Sequence, residues 1–180
     1  LAVIARHTNL TSVRTPSRLE LAYLECAGQL AKLVAEGRFP SPGTGMGRRG
    51  APRVGDGLIR LDAEGVVTYA SPNALSVYRR LALTADLMGE RLGEVTARLA
   101  PRAGAVDEAL EVVVGGRAHR RTEIEGTGAV MTLRAIPLDP GGVHVGALVL
   151  CRDVTEVRRR ERQLSTKDAT TREIHHRDKN

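Results

Sequence analysis

The order of the apolar segments constrains this chain most: two strand-like segments precede a group of helical segments, and three strand-like segments follow it. "GLIRLDAEGVVTYAS" predicts a hairpin with strands at 58–62 and 66–70, because apolar and polar residues alternate around a Glu-Gly turn. The later strands are "HRRTEIEGT", "AVMTLRAIPLD" and "GVHVGALVLCRDV", with "DPGG" at 139–142 as a tight turn between the last two. This order predicts an α+β fold, with one antiparallel five-stranded sheet and helices on one face.

Three segments between the two groups of strands have helical patterns. "SPNALSVYRRLAL" predicts a helix with Ser71 as N-cap and Pro72 in the first helical position. "GERLGEVTARLA" and "AVDEALEVVVGG" predict two further short helices.

Residues 1–39 predict one strand, "LAVIARHT", and one strong helix, "TPSRLELAYLECAGQLAKLVAEGRF". Ser17 and Glu20 have the spacing of a capping box, and Gly37 is a natural C-terminal stop. One strand and one helix cannot bury the apolar face of this helix alone. We therefore expect residues 1–39 to be the end of a larger domain or part of a dimer surface.

Residues 40–56 are rich in glycine and proline and predict a linker. The glycines do not follow a strand in either of the common phosphate-loop patterns, GxGxxG or GxxxxGK[ST]. The sequence therefore does not predict a nucleotide site in this segment.

The formal net charge of +6 raises the question of a nucleic-acid partner. The arginines are scattered as pairs, and aromatic residues, which stack on single-stranded bases, make up only 2% of the chain. A solvated, arginine-rich surface is the favoured interpretation, and we do not expect nucleic-acid binding. The same scarcity of aromatic residues predicts an aliphatic core.

Composition also bears on the compartment. Cys26 and Cys151 lie far apart in apolar stretches, which is typical of buried thiols in a reducing cytosol. No CxxC pair suggests a zinc ribbon, and the longest apolar run falls well short of the about 20 residues that span a bilayer. We expect a cytoplasmic protein without a membrane partner.

Residues 157–180 are almost entirely polar and predict a long helix that leaves the domain. Val157 and Leu164 lie seven residues apart, with Ile174 further on, which gives a thin heptad seam. We expect this seam to pair with a second copy of the chain in a homodimer. The alternative is a charged, frayed tail.

Four stretches resemble parts of known signalling domains. "GDGLIRLDAEGVVTYASPNAL" resembles the opening of a PAS domain, and "GALVLCRDVTEVRRRERQL" resembles its last strand and signalling helix, with the Asp-x-Thr step at Asp153 and Thr155. "EIHHRDKN" resembles the phosphoacceptor box of the HisKA_2 sensor histidine kinases, related to the HWE kinases, and residues 1–39 are similar to the end of a GAF domain. The resemblance implies a GAF-like fragment at 1–39, a linker at 40–56, a PAS domain at 57–156, and a signalling helix with the start of the phosphoacceptor region at 157–180.

The resemblance implies that His176 is the phosphorylated residue. On a helix, Glu173 lies one turn before it and Asn180 one turn after it, so Glu173 could orient the imidazole or accept its proton. Arg177 could steer phosphate charge. His175 points about 100° away, which also argues against a metal site formed by the two histidines. A metal pair and a solvated charged end remain the alternatives.

The resemblance further implies ATP-dependent autophosphorylation in the whole protein, with ATP bound by a kinase domain that is absent from this chain, so the fragment alone should be inactive. The phosphoryl group would pass to a cognate response regulator, of the RNA-binding ANTAR type in this family. Asp178 departs from the family, whose members usually carry an apolar residue there. A carboxylate is costly to bury, so we expect Asp178 to weaken pairing at the dimer seam.

We predict no cofactor in the fragment itself. A flavin photoadduct needs a cysteine in the helical segment, and none lies between Cys26 and Cys151. A haem usually needs an axial histidine there, whereas His119 and His144 fall on or near strands. A small-molecule ligand in the GAF or PAS pocket stays open, as do a PAS module that only dimerises and a basic nucleic-acid-binding domain.

Overall fold

One antiparallel sheet organises the fold. The computed structural model describes residues 15–39, 52–100, 112–113, 115–117 and 120–165. The strands, in the spatial order β2-β1-β5-β4-β3, are β1 (Leu58–Leu61), β2 (Val67–Ala70), β3 (Arg121–Glu125), β4 (Val130–Leu138) and β5 (Gly146–Asp153). All neighbouring strands pair antiparallel. The predicted five-stranded sheet and α+β class are confirmed.

In the described part of the chain, four helices with known bounds accompany the sheet, namely α1 (Arg18–Ala35), α2 (Pro72–Arg80), α3 (Leu92–Leu99) and α4 (155–165). The predicted capping box of α1 is confirmed, since Ser17 Oγ accepts from the Glu20 N–H at 3.2 Å and Glu20 Oε2 accepts from the Ser17 N–H at 2.7 Å. The predicted Ser71 cap of α2 is also confirmed, and the same hydroxyl accepts from the Leu58 N–H of β1 at 2.9 Å. That shared hydroxyl ties the start of α2 to the sheet.

Helices α2 and α3 cover one face of the sheet, which we call the inner face. Its core is aliphatic, as the composition predicts, and Tyr78 is the large aromatic side chain within it. The Tyr78 hydroxyl lies 3.0 Å from Thr96 Oγ1, which donates to the Leu92 carbonyl at 2.7 Å. Every polar atom of this buried pair therefore has a partner.

Helix α1 covers the opposite face, which we call the outer face. Cys26 and Leu33 are buried there against side chains of three strands: Leu58, Ile136, Leu138, Leu148 and Leu150. The prediction that helices lie on one face holds for α2 and α3, but helix α1 covers the other face. The sheet buries Cys26 and Leu33 of the apolar face of α1, whereas Leu19 stays 39% exposed. The expectation that a larger domain or a second copy covers the rest of this face stays a prediction. The assignment of residues 1–39 to a GAF-like domain stays a prediction.

The connection between β4 and β5 is longer than the predicted tight turn. A 3₁₀ turn occupies Pro140–Gly142, and three further residues precede β5, which begins at Gly146 rather than near residue 142. Gly141 and Gly142 have φ of 61° and 86°, a left-handed conformation that extends the turn. His144 Nδ1 lies 2.7 Å from Asp139 Oδ1 across this connection.

Several predicted segments lie outside the described residues. They are the strand at 1–8, most of the 40–56 linker, most of the helix at 105–116, His119, and the end of the chain from residue 166. None of the helices in the described part of the chain has the length and apolarity that crossing a membrane requires.

Gly146 and Gly28 offer a contrasting pair of substitutions. Gly146 has φ of 137°, and a Cβ there would overlap the Leu61 carbonyl oxygen, whereas a Cβ on Gly28 in α1 would meet nothing within 4 Å. We predict that Gly146→Ala lowers the free energy of unfolding by more than about 2 kcal/mol. Gly28→Ala should raise it by about 0.5–1 kcal/mol. Urea unfolding of both variants checks this, and equal stabilities would contradict the described packing of β5 on β1.

Candidate functional site

The junction between β5 and α4 combines a polar network with the point where the chain leaves the sheet. Asp153 ends β5, and its Oδ1 accepts from the Thr155 N–H at 2.9 Å and from Thr155 Oγ1 at 2.6 Å. Between them, Val154 is buried and its N–H donates to the Val130 carbonyl at 2.8 Å. The Asp-x-Thr step therefore turns the chain sharply from strand into helix.

Thr155 also connects the junction to the next strand. Its Oγ1 accepts from the Val130 N–H at 2.9 Å, at the start of β4. The hydroxyl thus donates to Asp153 and accepts from β4 at the same time. Because the hydroxyl makes both hydrogen bonds, Thr155, the first residue of α4, is held against β4 and β5 together.

Arg80 links the junction to α2. Its Nη1 donates to Asp153 Oδ2 at 2.6 Å, from the last residue of the helix. Burial alone would raise the pKa of Asp153, but hydrogen bonds from Thr155 and from Arg80 outweigh it, so this pKa lies below its ordinary value. The carboxylate is therefore charged at neutral pH and joins a helix of the inner face to the exit helix.

Helix α4 contacts β3 through two ion pairs. Arg158 is bidentate on Glu123, with Nε to Oε1 at 2.8 Å, and Arg162 Nη2 lies 3.0 Å and 3.1 Å from the two carboxylate oxygens of Glu125. A cleft of about 160 Å³ lies between α4 and the β3–β4 turn. The exit helix therefore lies beside the sheet over its first turns.

The inner face offers few polar groups to a cofactor. Burial raises the pKa of the Cys151 thiol to about 12, so it is a neutral, unreactive group. Burial likewise raises the pKa of Tyr78, against the opposing hydrogen bond to Thr96. Within the described ranges, no group of three or more His, Cys, Asp or Glu side chains could hold a metal ion.

An open cleft of about 270 Å³ lies on the α2 side of the junction. It is lined by Asp56, Asn73, Ser76, Val77, Arg80, Arg152 and Asp153. Its two arginines face carboxylates, because Arg80 pairs with Asp153 and Arg152 Nε lies 4.0 Å from Asp56 Oδ1. The cleft is thus close to charge balance.

The predicted catalytic residues Glu173, His176, Arg177 and Asn180 lie beyond residue 165, outside the described part of the chain. Their roles and the role of Asp178 stay predictions. Sequence reasoning found the Asp153–Thr155 step but missed Arg80, Glu123 and Glu125. The one available signal was spacing, since Glu123 and Glu125 share a face of a strand and Arg158 and Arg162 share a face of a helix.

Comparison with known proteins identifies relatives over the whole chain. Residues 52–159 match the PAS fold family PAS_4. The chain is 48% identical over 185 residues to the sensor histidine kinase PdtaS of Mycobacterium tuberculosis, and 46% identical over 183 residues to PdtaS of Mycolicibacterium smegmatis. Both alignments cover 100% of this chain and 37% of the relative, so the chain spans little more than a third of the curated relatives.

A solved structure has the same arrangement of strands and helices. It is described as the sensor region of a sensor histidine kinase, and it superposes with a TM-score of 0.71 at 44% sequence identity. The match covers 84% of this chain and 57% of that one. The sensor region of that histidine kinase therefore shares the fold of this chain over most of its length.

Asp153 should contribute stability in a pH-dependent way. Because its folded pKa is depressed, the contribution is present above the unfolded pKa, near 3.8, and is lost as the pH falls through the folded pKa. We predict that Asp153→Asn lowers the free energy of unfolding by about 1–2 kcal/mol at pH 7. The difference from the wild type should shrink below pH 3.8.

The measurement is urea unfolding between pH 3 and pH 7, with the exposed Glu64→Gln as control. Glu64→Gln should follow the wild type across the range. A loss for Asp153→Asn that stays constant down to the lowest pH would show that the charge of the carboxylate is not what stabilises the junction.

Proposed function

The chain belongs to the PAS fold family, and from this premise we propose that it is the sensor region of a cytoplasmic two-component histidine kinase. It detects a signal and relays it through α4 to a phosphoacceptor histidine. The observation that carries this proposal is the 48% identity to PdtaS over the whole chain.

The junction geometry supports a relay through α4. Asp153 accepts hydrogen bonds from α2 through Arg80 and from α4 through Thr155, so a displacement of α2 changes the constraint on the exit helix. Helix α2 also packs its apolar face on the inner core. A ligand or partner that repacks this core would move Arg80, and the carboxylate would transmit that movement to the start of α4.

The chemistry of the relay ends at His176. An unprotonated imidazole nitrogen of His176 attacks the γ-phosphorus of ATP, the P–O bond to ADP breaks, and the phosphoryl group stays on the ring. Glu173 accepts the ring proton or holds it on the other nitrogen, and Arg177 steers the phosphate charge. On the helix that the sequence predicts here, Asn180 would lie one turn after His176.

The ATP is bound by a kinase domain outside this chain. That assignment is consistent with relatives nearly three times as long as the chain, since the alignment covers 37% of their length. The phosphoryl group then passes from His176 to a response regulator, for which the family resemblance indicates an ANTAR output.

A homodimer fits the surface of α4. Val157 and Leu164 are 47% and 62% exposed on one side of the helix, a spacing of seven residues that suits pairing with a second copy. The same surface favours a second candidate function, a PAS module that dimerises and senses nothing. Thermal unfolding with a panel of metabolites separates the two, because only a sensing domain gains stability from a specific small molecule.

The nucleic-acid alternative has its own test. If the arginines bound phosphates, retention on RNA or DNA would fall steeply with salt, with a slope reflecting several contacts. Many of the described arginines instead face carboxylates, including Arg60, Arg80, Arg158 and Arg162. We therefore expect only weak retention that is lost at physiological salt.

The acceptor assignment is tested in the full-length protein with labelled ATP. We predict that His176→Gln abolishes acid-labile labelling, because the nucleophile is gone, whereas His175→Gln retains it. His175→Gln is the matched control, since it changes the neighbouring imidazole on a different face of the helix. Full labelling of His176→Gln would reject His176 as the acceptor.

A further inference from the structure

The spacing of charges on α4 matches the spacing of charges on β3. Arg158 and Arg162 are four residues apart on a helix, a rise of about 6 Å at about 1.5 Å per residue. Glu123 and Glu125 are two residues apart on one face of a strand, about 6.6 Å at about 3.3 Å per residue. Both ion pairs therefore form together only when α4 runs along β3, as it does here.

We propose that these four residues form a charge latch that fixes which face of the exit helix is turned away from the PAS domain, and that opening the latch interrupts the relay to the phosphoacceptor. The effect of the latch on the relay rests on the proposed function. The effect of the latch on the orientation of α4 concerns the sensor region alone.

The two pairs differ in strength. Arg158 and Glu123 are each 35% exposed, and the pairing is bidentate, the strongest geometry for an arginine and a carboxylate. Arg162 and Glu125 are 64% and 57% exposed, so water screens that pair more. The hydrogen bonding that Arg158 donates to Glu123 is also the main reason that the pKa of Arg158 is raised. The pair between Arg158 and Glu123 therefore holds the helix, and the pair between Arg162 and Glu125 sets its direction.

The latch orients the apolar seam of α4. At about 100° per residue, the mean direction of Val157 and Leu164 lies about 130° around the helix from that of Arg158 and Arg162. With the arginines on β3, the two apolar side chains face solvent, in agreement with their exposure. The latch thus presents the same seam outward in every copy of the chain.

Weak ion pairs suit a device that must open. Exposed ion pairs are individually weak, so two of them shift the docked population by about two-fold to thirty-fold. A junction held at Asp153 and Thr155 keeps the start of α4 in place while the next turns detach. The helix would then lose its fixed direction without unfolding the sheet.

The first experiment measures docking by pulsed electron paramagnetic resonance on the sensor region, with doubly labelled chains diluted in an excess of unlabelled chains so that only distances within one chain are measured. Spin labels are placed at Thr84→Cys, beyond α2, and Gln163→Cys, on α4, both exposed positions. Cys26 and Cys151 are buried and stay in place. We predict one narrow distance distribution, which becomes at least about twice as wide in Glu123→Thr/Glu125→Thr, because threonine keeps the strand but cannot reach the arginines.

The control carries Glu64→Gln and Glu94→Gln, which change the net charge equally at exposed positions away from the latch. Its distance distribution should match the wild type, and all variants should melt within a few degrees of one another. A narrow distribution in Glu123→Thr/Glu125→Thr would overturn the latch.

The second experiment measures autophosphorylation of the full-length protein with the same substitutions. We predict a fall of at least about three-fold for Glu123→Thr/Glu125→Thr and none for the control pair. An unchanged rate beside a widened distance distribution would overturn the signalling role of the latch alone. If the unsubstituted full-length protein incorporates no phosphate from ATP, the proposed function fails. The width of the distance distribution still tests whether the latch holds α4.

Discussion

The pairing of β4 with β5 is the constraint on which the rest of the structure depends. Eight consecutive residue pairs join these strands, from Leu138 with Gly146 to Met131 with Asp153. Both strands are buried on both faces, by α2 and α3 on the inner side and by α1 on the outer side. A shift of one residue would exchange the two faces, so this register fixes where β5 ends and where α4 begins.

That register also places the polar groups of the junction. With Asp153 opposite Met131, the first residue of α4 meets the start of β4, and the Thr155 hydroxyl reaches the Val130 N–H. Arg80 comes to the same carboxylate from the end of α2, 73 residues earlier in the chain. A buried strand pair thus holds in place a small, partly exposed network whose individual bonds contribute only modestly. Such a network can rearrange without loss of the fold.

Local features of the fold could be predicted from the sequence because they depend on neighbouring residues. The capping box at Ser17 and the Ser71-Pro72 helix start need only a short local spacing. Alternating apolar residues located the first hairpin and β4, and a continuous apolar run located β5. The covering of the outer face by α1 was not predicted. A helical apolar stripe shows that a helix has a buried side, but it does not show which surface buries it.

The candidate site was predicted only in part for the same reason. Asp153 and Thr155 are two residues apart and form a recognisable step, whereas Glu123 meets Arg158 across 35 residues and through the register of three strands. Long-range pairs of this kind depend on tertiary structure, and no local pattern specifies them. The sequence predicts a solvated surface rich in arginine. In the structure, Arg80, Arg158 and Arg162 instead pair with carboxylates at or beside the exit helix.

We propose that, in the full-length protein, the PAS domain controls phosphorylation through the carboxylate of Asp153. The most direct measurement compares the initial rate of autophosphorylation of the full-length protein carrying Arg80→Gln with that carrying Arg79→Gln. Both substitutions remove one positive charge from the end of α2, but only Arg80 contacts Asp153 among the described contacts. The account predicts a rate changed by at least about three-fold for Arg80→Gln and a wild-type rate for Arg79→Gln. Equal rates in the two variants, with both folded, would contradict it.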